Sequence, residues 1–278
     1  MSAAGVEAWS GKDRRDENFP VGSFLIRRDL RRHVHAFYAF ARNADDIADH
    51  PHLAAEEKIA RLDAMEEVLL GRLGDGAAPS AARLRASLAE TGVTPHHAAD
   101  LLVAFRQDAT KRRYASWEEL YEYCTFSAMP VGRHVLDLHR ESEAAYAASD
   151  ALCVILQVLN HLQDCAQDLA ALDRCYLPAD LLKTHGAAIA DLTAPRASPG
   201  LRRVFAALLD EITALAPLAA ELPGAVRARR LRLETAVIVG LARRLATRLG
   251  REDPLAKRVA LTKSDIGAAL FGALRYLP

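Results

Sequence analysis

Apolar residues recur at spacings of three and four along almost the whole of this 278-residue chain, and no run alternates apolar with polar as a half-buried strand does. That periodicity matches the 3.6-residue turn of an α-helix and leaves no segment with which to build a sheet. The expected fold class is all-α. Gly (15) and Pro (12) are sparse and fall where the periodicity breaks, so they read as helix stops. The spacing places helices at about 28–49, 54–73, 80–91, 95–109, 116–139, 141–170, 201–215, 225–249 and 264–275. Asp29 is the expected N-cap of the first, and His50-Pro51 ends it, because the residue before a proline leaves helical geometry. Within 116–139, Pro130 is expected to kink the axis and Gly132 to admit a neighbouring backbone.

The stretch 177–200 holds Pro178, Gly186, Pro195 and Pro199 and reads as a loop with short helical pieces. It is the one candidate boundary, but composition is alike on both sides and no internal repeat is visible. The expected organisation is a flexible segment at 1–17 and a single domain over 18–278.

Composition narrows the functional classes. Lys+Arg (36) and Asp+Glu (36) cancel, which removes the global basic field that nucleic-acid binding uses. At 51% hydrophobic and 6% aromatic, the core is expected to be built from small aliphatic side chains. No apolar run approaches the roughly 18 residues of a membrane span; Ala151–Leu156 and Ala236–Val239 are far shorter. Met1–Lys12 has no secretory pattern, so the expected location is cytoplasmic. Cys124, Cys153, Cys165 and Cys175 lack C-x-x-C spacing and read as free thiols.

Two helices carry polar side chains where a packed helix is apolar. The first holds Tyr38, Arg42, Asp45 and Asp49 on one stripe, beside Phe37, Phe40 and Ala41. Asp45 and Asp49 lie one turn apart, so both carboxylates can address one divalent cation. Taken alone, the same residues also describe a solvated acidic face with an Arg42–Asp45 pair. The helix at 141–170 repeats the pattern with Asn160, Asp164 and Asp168, behind the apolar run Ala151–Leu156. A helix that enters this way is expected to be central, and an unpaired carboxylate buried there is costly or becomes protonated. A bound cation or a wet cleft resolves the conflict.

If the two helices face each other, four aspartates converge on one cavity. Hard oxygen ligands favour Mg²⁺, which completes its octahedron with waters and substrate phosphates. The expected substrate therefore carries a diphosphate, and Arg42, Arg174, Lys257, Arg258 and Lys263 are candidate cations to meet it. For Arg42 and Arg174 the competing use is an ion pair with neighbouring aspartates, and for the late cluster an ordinary solvated face.

Three stretches, FYAFARNADDIAD (Phe37 to Asp49), YCTFSAMPVGR (Tyr123 to Arg133) and LNHLQDCAQDLAALDRCYLP (Leu159 to Pro178), resemble the signature regions of the squalene/phytoene synthase family, in the family's order. The resemblance runs from about Asn18 to Lys263. It implies an isoprenoid synthase helical bundle around a central cavity, with two aspartate motifs on opposite walls binding Mg²⁺ and a prenyl diphosphate. The implied metal ligands are Asp45, Asp49, Asp164 and Asp168. Arg42, Arg174, Tyr176 and Lys263 are implied as diphosphate contacts, and Asn160 as the group that orients ligand or water. Phe19, Phe37, Tyr38 and Phe126 offer aromatic faces to a carbocation, although core packing accounts for each equally well.

The opening ENFPVGSFLIRRDLRRHVHAFYAFAR looks most like the hydroxysqualene-forming branch of the bacterial hopanoid pathway. Condensing members carry a Ser-Phe-Tyr type segment where Asn18-Phe19-Pro20-Val21 stands, and a second tyrosine where Thr125 stands. The implied reaction is ionisation of presqualene diphosphate, rearrangement of the cation, and capture by water, without NADPH. Two alternatives remain: head-to-head condensation to presqualene diphosphate, dehydrosqualene or phytoene, and a non-catalytic helical scaffold. The apolar product implies peripheral contact with the inner face of a membrane, through Arg27-Arg28 and Arg31-Arg32 or through Phe271 to Pro278. No obligate protein partner is expected.

Overall fold

The computed structural model describes residues 5–7 and 27–277, and among these it is all helix, as the periodicity requires. In chain order the α-helices are α1 (Arg31–Ala48), α2 (Ala55–Leu69), α3 (Pro79–Thr91), α4 (His96–Thr110), α5 (Trp117–Ser127), α6 (Met129–Leu138), α7 (Tyr146–Leu172), α8 (Ala179–Thr184), α9 (Pro199–Ala219), α10 (Leu222–Ala225), α11 (Arg229–Leu249) and α12 (Lys263–Ala273). The one bridge between extended residues among them joins Arg113 to Cys175. Phe19, the segment 18–21 and most of segment 1–17 lie outside the described residues. Of that segment, Val6 donates its N–H to Ala77 O at 2.9 Å and Glu7 accepts from Ser80 N at 2.5 Å.

The chain divides into two compact units: residues up to Lys111 with Pro130–Glu141, and Arg112–Met129 with Ser142 onward. The stretch 177–200 lies inside the second. The core of the first is built from Phe37, Phe40 and Ile47 of α1, Leu62 and Met65 of α2, Leu84 of α3 and Leu101 and Leu102 of α4. Each such side chain contributes about 1.5–3 kcal/mol on burial. Lys58, buried on α2, donates Nζ to Ala48 O at 2.7 Å and so satisfies a carbonyl at the end of α1, where a cation also complements the helix dipole.

In the second unit α7 is the central helix and packs against α5, α9 and α11, while α12 lies along α11. By length and composition α7 with the turn before it is apolar enough to cross a membrane, yet most of it is buried inside the fold. It is a core helix, as its ALCVIL entry indicates. It ends at Asp173 in the left-handed region (φ 51°), a conformation normally left to glycine. The Arg113 guanidinium pairs with the Asp173 carboxylate at 2.5 Å and holds that turn.

Three local expectations are corrected. Asp29 does not cap α1: the N-cap is Leu30, without a side-chain hydrogen bond, and Asp29 pairs instead with Arg27 at 2.5 Å. The helix expected over 116–139 is two helices, broken at Ala128 (φ −124°, ψ −48°). Pro130 therefore sits in the first turn of α6, where its missing N–H has no intrahelical acceptor to lose, and kinks nothing. Helix α9 continues past 215 to Ala219 with Pro217 inside its last turn. The four cysteines are free, and burial pushes the Cys124 and Cys165 thiols up to about 12.

Candidate active site

In the first unit, Tyr38, Arg42, Asp45 and Asp49 form a half-buried stripe of α1, flanked by the buried Phe37, Phe40, Ala44 and Ile47. Asp49 is the C-cap, its N–H donating to Asp45 O at 2.8 Å, so the second carboxylate of the pair leaves the helix at its end. Arg42 is held between two carboxylates, Asp45 at 3.1 Å and Asp46 at 2.8 Å. Its ion-pair use is realised here. Asp46 is buried and was not singled out by its sequence position.

Asp108 on α4, also buried, completes the acidic group. The Asp45 carboxyl is held above the ordinary carboxylate range by burial first, then by Asp49, with Asp108 and Asp46 adding and Arg42 opposing. One guanidinium among four carboxylates leaves excess negative charge, the environment that a divalent cation neutralises. No three His, Cys, Asp or Glu side chains among the described residues come together as a ready-made metal cage. Asp108 had a readable signal: with Leu101 and Ala104 it lies on the buried stripe of α4, a carboxylate where a methyl group belongs.

In the second unit, Asn160, Asp164 and Asp168 are likewise a half-buried stripe, on α7. Asp164 receives Arg258 through two bonds, Nε at 3.0 Å and Nη2 at 3.3 Å. Of the late basic cluster it is Arg258 that reaches the motif; Lys257 pairs with Glu252 at 3.2 Å, and Lys263 is exposed at the start of α12. The turn at Asp173 carries Arg174 and Tyr176 back into the fold, both buried, with Arg174 Nη1 donating to Tyr176 Oη at 3.2 Å.

Tyr176 belongs to an aromatic cluster that the residue patterns did not reveal. Its ring is stacked on His161, centroids 3.5 Å apart at 16°, and lies 5.5 Å from Tyr114 and 5.7 Å from Tyr123. Burial and Arg174 push the His161 imidazole down to about 3, so the ring is neutral. Phe126 is half-buried on α5.

A cavity of about 590 Å³ in the second unit is lined by Leu152 and Ile155 of α7, Phe205 and Leu209 of α9, Gly240 of α11 and Ala269 of α12. Ile155 is nine residues from Asp164, roughly 180° around the helix. This cavity lies on the opposite face of α7 from Asp164 and Asp168.

A helical fold with paired aspartates on two helices defines a class of diphosphate-processing proteins, and the comparisons agree. The squalene/phytoene synthase family model matches residues 12–265. The chain is 47% identical over 272 residues to the hydroxysqualene synthase of Rhodopseudomonas palustris, covering 96% of this chain and 91% of that one. It is 45% identical to the hydroxysqualene synthase of Sinorhizobium fredii, over 91% of this chain and 86% of that one. The crystal structure of the squalene synthase from Alicyclobacillus acidocaldarius superposes with a TM-score of 0.67 at 34% identity, over 82% of this chain and 88% of that one. The chain belongs to the squalene/phytoene synthase family, whose members process prenyl diphosphates and are generally metal-dependent.

Proposed function

We propose that this chain is a hydroxysqualene synthase, converting presqualene diphosphate and water to hydroxysqualene and diphosphate in hopanoid biosynthesis. The observation that carries the reading is identity of 47% over nearly the full length of a relative of that name, together with both aspartate pairs on half-buried helical stripes. Each aspartate pair, Asp45 with Asp49 and Asp164 with Asp168, would hold Mg²⁺, which when bound would offset the negative charge developing on the departing diphosphate. Arg42, Arg174, Tyr176 and Lys263 are the donors proposed for the diphosphate.

Cleavage of the C–O bond leaves a cyclopropylcarbinyl cation, which rearranges. Water forms the new C–O bond, one proton is released, and no reductant enters. Tyr38 and Phe126 would present aromatic faces to the cation, and Asn160 would orient the water. The enzyme works in the cytoplasm and meets the inner face of the membrane. Of the two contacts expected from sequence, the C-terminal one has the better support: Arg27 and Arg32 are paired with Asp29 and Glu90, whereas Ile266, Leu270, Phe271, Leu274 and Leu277 are exposed in succession.

The reading is tested by incubating the purified protein with Mg²⁺ and either presqualene diphosphate or farnesyl diphosphate alone. Hydroxysqualene from the first and no product from the second is expected. A C30 product from farnesyl diphosphate alone would overturn it in favour of a condensing enzyme.

A further inference from the structure

Residues 250–262, between α11 and α12, have no regular structure and are tied down at two places. At the first, Asp253 receives the backbone N–H groups of Ala197 and Leu255 and the Arg202 guanidinium, each at 3.0 Å. At the second, Gln163 on α7 donates Nε2 to the Val259 carbonyl at 2.5 Å, next to the Arg258–Asp164 pair. Two consecutive residues of α7 thus hold two consecutive residues of the loop.

These two contacts differ in environment. Gln163 and Val259 are 5% and 1% exposed, whereas the Arg258 and Asp164 side chains are 49% and 26% exposed. An exposed ion pair is too weak to fix a long arginine in one place. A buried amide–carbonyl bond is costly to break, because it leaves a dry carbonyl unpaired. The Val259 carbonyl can only accept, which determines the orientation of the amide. Oε1 of Gln163 is then buried with no hydrogen-bond partner, so the loop is what the side chain grips.

We propose that Gln163 is a positioning residue that fixes Arg258 against Asp164, making Arg258 a resident counter-ion which a divalent cation must displace. The proposal rests on the reading of Asp164 as a metal ligand. Loss of the grip leaves the carboxylate uncovered, so Mg²⁺ binds more tightly, the reverse of what loss of a ligand does. Damage to the fold does not produce that reversal.

The test is calorimetric titration of Mg²⁺ alone into the full chain, without substrate, for wild type, Gln163→Met, Arg258→Gln, the double variant and Asp164→Asn. Met keeps the length of Gln and removes the donor. Each single variant is expected to tighten Mg²⁺ binding about two- to fivefold, the worth of an exposed ion pair. The double variant is expected to match the singles, since both remove one contact. Wild-type affinity in Gln163→Met, or additivity in the double variant, overturns the positioning role. Unchanged or weaker binding in Arg258→Gln overturns the counter-ion, and as an exposed substitution it reports even if Gln163→Met fails to fold. Asp164→Asn separates the two levels: undiminished binding there means that the ligand reading itself has failed.

Discussion

His134 lies flat against Phe37, ring centroids 3.9 Å apart at 11°, and neither of its buried ring nitrogens has a hydrogen-bond partner. Burial, with His97 and His33 adding and Asp137 opposing, pushes the imidazole down to about 3. An unfolded histidine titrates near 6.5. Between those values the unfolded chain binds a proton that the folded chain refuses, so this stability is complete above about pH 6.5 and is lost as pH falls. The slope is up to about 1.4 kcal/mol per pH unit for one such group, and His161, also pushed down to about 3, adds a second. His134→Leu is expected to match or exceed wild-type stability at pH 7 and to show a clearly shallower loss between pH 6.5 and 5, read from denaturant midpoints. An unchanged slope would count against the assignment.

Asp45 separates stability from function. Its carboxyl is held above the ordinary range by burial first and by the neighbouring Asp49 carboxylate next, so Asp45→Asn removes a charge that the folded state disfavours. The metal-free variant is expected to be no less stable than wild type at pH 7, while turnover falls by about a hundredfold or more through loss of a metal ligand. Melting temperature and kcat, measured on one preparation, check both halves. A non-catalytic scaffold would keep its function in complementation.

His161 serves as a neutral plate beneath Tyr176. His161→Phe keeps the plate and is expected to hold kcat/KM within a few fold. His161→Ala leaves a cavity under the ring that Arg174 addresses, costing about 2–4 kcal/mol of stability and lowering kcat. Equal effects of the two substitutions would contradict the role.

Gly200, in the first turn of α9, has no room for a side chain: a Cβ there meets His185 O at 2.8 Å and Gly186 O at 2.9 Å. Gly200→Ala is expected to destabilise by about 1–3 kcal/mol, since neither backbone carbonyl can yield without moving the end of α8. Chemical denaturation measures it.

Phe271 is 77% exposed at the centre of the C-terminal apolar patch. Wild type is expected to float with anionic vesicles, and Phe271→Asp to float markedly less with its activity on detergent-dispersed substrate intact. No flotation of the wild type would remove the membrane from the account.

The all-helical fold and both aspartate stripes were legible because helical periodicity and a carboxylate repeat are local signals. Pro130 was ambiguous for a local reason: the same residue kinks a helix interior or opens a new first turn, and only the break at Ala128 decides. The Asp173 turn hid because an aspartate occupies a left-handed position normally marked by glycine. Arg258 on Asp164 and His161 on Tyr176 depend on tertiary packing, and no spacing along one helix announces either partner. Asp108 carries a local signal too, as a carboxylate on the apolar stripe of α4.

In the proposed reaction water, not hydride or proton loss, quenches the cation. Turnover of presqualene diphosphate with Mg²⁺ in ¹⁸O-labelled water, with and without NADPH, tests it most directly. One ¹⁸O atom in the alcohol, in equal yield under both conditions, is expected. Squalene formed with NADPH, a dehydrogenated hydrocarbon without it, or an unlabelled alcohol would contradict it.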